Sequence, residues 1–222
     1  MLTLYHAPQS RSSRIIWLLE ELGVDYEIKI VSIRRRDPSA QGPEAQGPAA
    51  QGPEAGMIGA RDPANLHPHG KVPALVHDGA TVVESAAIVL YLTDAFPQTG
   101  IGPGIGDPRR GAYLSWLAYY TGVMEPAFTT AFYGFETTNS ATGWVSVAEV
   151  MGHVNGTLAK GPYLLGDAFS GADVLAGSAF ALFMGSPLVP RSDLLAAYVE
   201  RLTSRPAYQR AAAKDGAPAG AS

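Results

Sequence analysis

Over the first thirty residues the apolar positions change period twice. Leu2 and Leu4, with Thr3 and Tyr5 beside them, predict a short strand. His6 to Ser10 reads as a turn and contains Pro8. Ile15, Leu18, Leu19 and Leu22 then recur at helical spacing, with Ile16 next to them. Ser10, Ser12 and Ser13 are candidate caps for this helix, and Gly23 marks its end. Tyr26, Ile28 and Ile30 alternate with Glu27 and Lys29, which predicts a second strand. Further on, Val72 to Val76 reads as a strand, Asp78-Gly79 as a hairpin turn and Thr81 to Val83 as the returning strand. Glu84-Ser85 opens a helix with Ile88, Val89 and Leu92 on its inner face. The order β-α-β followed by β-β-α predicts a small mixed sheet covered by helices.

After Pro97 the pattern changes. A Gly/Pro-rich run to Pro108 reads as a linker, and no strand pattern follows it. Tyr113, Trp116, Leu117 and Tyr120 fall on one helical face. Val145 to Leu158, Ser170 to Phe183 and Leu194 to Leu202 predict three more helices. The expected organisation is an α/β domain over 1–96, a linker over 97–108, an all-helical domain over 109–213 and a frayed tail over 214–222. One segment interrupts the first domain. Ala40 to Glu54 repeats a five-residue unit, AQGPE, AQGPA, AQGPE, inside an insertion at about 37–66. Its Gly-Pro pairs break any helix, and it has too few large apolar residues to offset ordering entropy. It reads as a surface loop whose far end Met57, Ile58 and Leu66 could pin.

Composition narrows the chemistry. The 222 residues are 46% hydrophobic and carry a net charge of -4, without a basic tract. That argues against nucleic-acid and anionic-membrane binding. There is no cysteine, so disulfides, thiolate metal sites and an enzyme cysteine nucleophile are excluded. The five histidines show no metal-ligand spacing. No apolar run is long enough to span a bilayer, and the first residues lack the apolar stretch of a signal peptide. A soluble cytoplasmic protein without a metal is expected.

Four segments, in order along the chain, carry a family resemblance: SRSSRIIWLLEELG from Ser10, HPHGKVPAL from His67, ESAAIVLYL from Glu84 and YLLGDAFSGADV from Tyr163. With them the chain resembles the soluble glutathione transferases, in a bacterial or fungal form that uses serine. The resemblance implies a thioredoxin-like N-terminal domain with a mixed four-stranded sheet and an all-α C-terminal domain. It implies glutathione as co-substrate, a hydrophobic electrophile as second substrate, and a homodimer. Ser10 matches the serine that would hydrogen-bond the glutathione thiolate, with Ser12 and Tyr5 as rivals. Arg11 and Arg14 would add positive potential. Val72 would offer its backbone to the cysteinyl part of the ligand ahead of a cis Pro73, and Lys71 would contact the ligand. Glu84 would take the γ-glutamyl ammonium, and Ser85 the adjacent carboxylate. Tyr113, Trp116 and Tyr120 would face the second substrate. Ser170-x-x-Asp173 is a capping box that serves stability. A non-catalytic glutathione or hydrophobic-ligand binder, a glutathione-dependent peroxidase and an interaction module share the fold and remain alternatives. The repeat insertion departs from the family pattern.

Overall fold

The computed structural model describes residues 1–33, 61–135, 141–186 and 188–216. The repeat from Ala40 to Glu54, Met57 and Ile58 lie outside them. Strand β1 (Leu2–His6) feeds helix α1 (Ser13–Leu22), and β2 (Tyr26–Ile30) returns parallel to β1. Strands β3 (Ala74–His77) and β4 (Ala80–Val83) form the expected hairpin, with β3 antiparallel to β1. The sheet order is β2-β1-β3-β4, the mixed four-stranded sheet that was expected. β3 begins at Ala74 and not at Val72, because Pro73 has no N–H to pair. Helix α2 (Ser85–Ala95) follows directly.

Helix α1 is buried on two sides. Seven of its ten residues are buried, Arg14, Ile15, Ile16, Trp17, Leu18, Leu19 and Leu22. A surface helix needs only one apolar stripe. Here the sheet covers one face, and the helical half of the chain covers another. Its αL C-cap is Gly23, as its sequence position suggests.

Among the described residues the second half is built of helices joined by loops. It comprises α3 (Arg110–Tyr119), a π-helical turn (Tyr120–Met124), α4 (Glu125–Phe132), α5 (Val147–Leu158), α6 (Gly171–Phe183), α7 (Asp193–Thr203) and α8 (Pro206–Asp215). The linker is not loose: Ile101 is buried, and its carbonyl accepts the Gly171 N–H at 2.9 Å. A Cβ on Gly171 would meet Val89 Cγ1 at 2.6 Å and the Tyr113 hydroxyl at 2.7 Å, so only glycine lets α6 approach α2 and α3 this closely. The capping box at the start of α6 is present. Buried Asp173 accepts from the N–H of Ser170 and Leu164 and from the Tyr198 hydroxyl, at 2.8, 2.9 and 2.9 Å. Two expectations need correction. Leu66 is 47% exposed and pins nothing. Asp62 and Asn65 hold that stretch instead, accepting from Ser32 N at 2.8 Å and donating to Lys71 O at 3.0 Å respectively. The tail does not fray at 214. α8 runs through Asp215, and Lys214 bonds Glu20 at 2.5 Å.

Candidate active site

Strand direction fixes where the site forms. Tyr5 faces Ala74, and Ala74 faces Val83. The end of β1, the start of β3 and the end of β4 therefore share one end of the sheet. His6 to Ser10, Val72-Pro73 and Glu84-Ser85 emerge together there. α1 and α2 both begin at that end, which directs two helix N-termini, each with partial positive charge, toward the same region. Tyr5, Ala7, Val72 and Ala74 pack beneath it as a small apolar cluster.

Each motif has a distinct geometry. The Val72-Pro73 bond is cis, and both residues are buried, while Lys71 is exposed. Glu84 has φ +72°, a left-handed conformation that a residue with a Cβ holds only when its surroundings impose it. Its carbonyl accepts from Ile88 N–H at 2.9 Å, and its carboxylate is largely exposed, 3.8 Å from His67 Nε2. Ser85 is the first residue of α2 and is buried. The hydroxyl of half-buried Ser10 donates to Ala7 O at 2.6 Å and lies 2.8 Å from Ser12 Oγ.

A cavity of about 820 Å³ opens beside Ser10. Ser10, Arg11 and Arg14 form one wall. Tyr120, Phe128, Phe132 and Tyr133 form the facing wall, and Leu182, Leu188 and residues of α8 close it. Of the three candidate thiolate donors, Ser10 alone reaches this wall. Ser12 is fully buried, and Tyr5 faces the apolar cluster under the sheet. Lys71, Val72, Pro73, Glu84 and Ser85 lie outside the cavity walls, on the adjoining sheet end.

The expected aromatic face divides. Tyr120 lines the cavity, but Tyr113 and Trp116 do not. Tyr113 is fully buried with its hydroxyl 3.0 Å from Thr93 Oγ1. Trp116 stacks on His153, ring centroids 4.9 Å apart. Their places on α3 turn them into the packing against α2 and α5, whereas the π-helical turn starts at Tyr120 and redirects the chain. The Tyr120 hydroxyl donates to Glu125 Oε1 at 2.6 Å and accepts from Arg14, whose guanidinium carbon lies 5.0 Å from the tyrosine ring centroid. Arg11 Nε donates to both Glu125 oxygens at 2.9 and 3.0 Å. Burial pushes the Tyr120 hydroxyl up to about 12, so it stays neutral. Burial also raises Glu125, but hydrogen bonds from Arg11 and Tyr120 and the charge of both arginines hold its carboxyl below the usual range.

Comparison with known proteins decides what this arrangement belongs to. Residues 10–95 match the family model described as "Glutathione S-transferase, N-terminal domain". Glutathione S-transferase 3 of Schizosaccharomyces pombe is 39% identical over 93 residues, 41% of this chain and 29% of that protein. Glutathione S-transferase GST-4.5 of Xanthomonas campestris is 35% identical over 80 residues, 36% of this chain and 39% of that protein. These matches thus span well under two thirds of either relative. A sphingomonad glutathione S-transferase complexed with glutathione superposes with a TM-score of 0.69 at 27% identity, covering 97% of this chain and 100% of that one.

The chain carries a glutathione S-transferase N-terminal domain over residues 10–95. Its fold is the family's thioredoxin-like domain followed by a helical region. The cluster of Tyr120, Arg14 and Glu125 escapes a reading of the sequence. Only Arg14 and Tyr120 were singled out, and for separate roles. Glu125 follows the π-helical turn, where helical periodicity slips, so no spacing rule points to it. His6 and Asp215 were also missed. His6 sits at the end of an apolar strand, and its partner is 209 residues away. Among the described residues no cluster of ligand-type side chains could hold a metal, and no helix is long and apolar enough to cross a membrane.

Proposed function

We propose that the chain is a glutathione transferase of the serine type, adding the glutathione thiolate to hydrophobic electrophiles. The observation that carries this is the position of Ser10. Its hydroxyl stands at the α1 N-terminus, on the cavity wall, at the sheet end where Val72-Pro73 and Glu84-Ser85 also meet. A free cysteine thiol has a pKa of about 8.5, so most of it is protonated near neutrality. A hydroxyl donor and a helix N-terminus both favour the thiolate, which is the nucleophile. To donate to sulfur, Ser10 turns its proton away from Ala7 O.

Glutathione would extend from that point along the sheet end. Its backbone would pair with Val72 as an added strand. Its γ-glutamyl ammonium would meet Glu84, and its carboxylate Ser85 and the amides that open α2. Lys71 would reach the ligand from the exposed side. The cavity beyond Ser10, with Tyr120, Phe128, Phe132 and Tyr133 on its facing wall, would take the electrophile. Two copies would associate as a cytoplasmic homodimer, each site near the subunit cleft. The test is conjugation of glutathione to a chlorodinitrobenzene substrate, alongside calorimetric titration with glutathione. Conjugation with saturable glutathione dependence is the expected result. Binding without turnover would leave a glutathione-binding protein. Absence of binding would remove the assignment.

A further inference from the structure

The transferase reading leaves one buried titratable group without a role. The His6 ring is fully buried, and its Nε2 lies 3.2 Å from the backbone oxygen of Asp215 and 3.3 Å from that residue's Oδ1. Both of those atoms only accept, so Nε2 carries the ring hydrogen. In the neutral ring Nδ1 is then a bare lone pair. It lies 2.8 Å from Ser12 Oγ, so Ser12 donates its single hydroxyl proton to His6. The Ser12 oxygen accepts the Ala7 N–H at 3.2 Å and has a further lone pair facing Ser10 Oγ at 2.8 Å. The hydroxyls of Ser10 and Ser12 thus line up from the cavity wall to a buried base, and the file is continuous once the Ser10 proton turns from Ala7 O to Ser12 Oγ.

What stands behind the base offsets part of the cost of charging a buried ring. Asp215 ends α8, so its carbonyl belongs to the negative end of a helix dipole and its carboxylate adds a full charge. That carboxylate is itself fixed, accepting from the Ser13 hydroxyl at 2.5 Å and from Gln9 N–H at 3.2 Å. Burial holds the neutral ring's pKa below its usual value, and Asp215 pulls it back up. Other nearby charges point elsewhere. Lys29 of β2 lies over the Tyr5 ring, Lys214 of α8 bonds Glu20, and Arg11 and Arg14 engage Glu125 and Tyr120. Ile30, which faces His6 across the sheet, carries no charge.

We propose that His6 is the terminal proton acceptor for the glutathione thiol, reached through Ser10 and Ser12. The proposal rests on the assignment of Ser10 above. The thiol proton passes to Ser10 Oγ as the Ser10 proton passes to Ser12 Oγ and the Ser12 proton to His6 Nδ1. One S–H bond breaks, one N–H bond forms, and each serine gives and receives one proton. The products are a thiolate at the α1 N-terminus and an imidazolium against Asp215. The ring resets when its proton returns along the same file to the leaving anion or to solvent. His6 touches no reactant, so it is a positioning residue.

The experiment uses the full chain and two readouts. His6→Asn keeps a hydrogen-bond partner for Ser12 but is not a base. Its Michaelis constant for glutathione should stay within about twofold, while turnover near neutrality falls at least about tenfold. Between about pH 6 and 8 its turnover should climb about tenfold per unit, because hydroxide must now remove the thiol proton, while the parent chain stays flat. A variant profile parallel to that of the parent overturns the proposal. Should the variant not fold, the parent chain decides through the nitrogen chemical shifts of His6. The ring should be neutral alone and with S-methylglutathione, which has no thiol proton, and protonated with glutathione. A ring that stays neutral with glutathione bound overturns the relay and leaves the transferase reading intact. Failure of glutathione to bind overturns both.

Discussion

On the proposed function Ser10 and Glu84-Ser85 would serve opposite ends of the same small ligand, and their variants should separate accordingly. Ser10→Ala removes one hydrogen bond to a developing charge, worth roughly 1.5–3 kcal/mol, so turnover near neutrality should fall about ten- to hundredfold. Its Michaelis constant for glutathione should change little. Tyr5→Phe is the matched control, since Tyr5 points into the cluster beneath the sheet, and it should keep full activity. Glu84→Gln and Ser85→Ala should behave the other way. They would touch only the non-reacting end, so the Michaelis constant should rise by about tenfold or more with turnover nearly preserved. Steady-state kinetics over a range of glutathione concentrations distinguishes the two patterns. Equal loss of turnover in all three variants would contradict the division of roles.

At the scale of elements, the seam between α1 and α8 does the most to shape the site. Glu20 receives Arg210 Nε at 2.6 Å, Lys214 Nζ at 2.5 Å and the Tyr26 hydroxyl at 2.7 Å. Glu21 pairs with Arg205 at 2.5 and 2.8 Å. Burial pushes the Glu20 carboxyl up, but bonds from Lys214, Tyr26 and Arg210 outweigh it and hold the group at about 2. Its folded value thus lies below its unfolded one. The stabilisation is fully present above about pH 4.5 and is lost as pH falls toward 2. Glu20→Gln should lower stability by about 1 kcal/mol at neutral pH and leave a shallower acid limb, measured as urea midpoints at neutral pH and near pH 3. The same seam shows what the sequence could and could not reveal. α1, α2, α5, α6 and α7 announce themselves through large apolar residues at helical spacing. α8 buries only Ala207 and Ala211, small side chains that let it lie close to α1 but leave no strong pattern. α4 hides behind the π-helical turn, which breaks the 3.6-residue period just where Tyr120 and Glu125 come together. Short motifs at strand ends, such as Val72-Pro73 and Glu84-Ser85, were legible because strand direction alone assembles them. His6 with Asp215 was not, because nothing local links residues at opposite ends of the sequence.

For the whole molecule, the proposed pairing of two copies gives the simplest physical test. Sedimentation at micromolar concentration should report a species of twice 23.3 kDa that persists on tenfold dilution. A single species of 23.3 kDa would refute the dimer. One feature of the fold also bears on how the protein is made. The ring of His6 meets its partner 209 residues later, at the last turn of α8. A ribosome releases the sheet residues first, and the N-terminal part of a chain tends to fold as it emerges. β1, α1 and the cradle of serines would then take shape while Asp215 is still unsynthesised. A partly made chain would carry a recognisable pocket but no carboxylate behind its histidine, so reactive sulfur chemistry would wait until translation has passed residue 215.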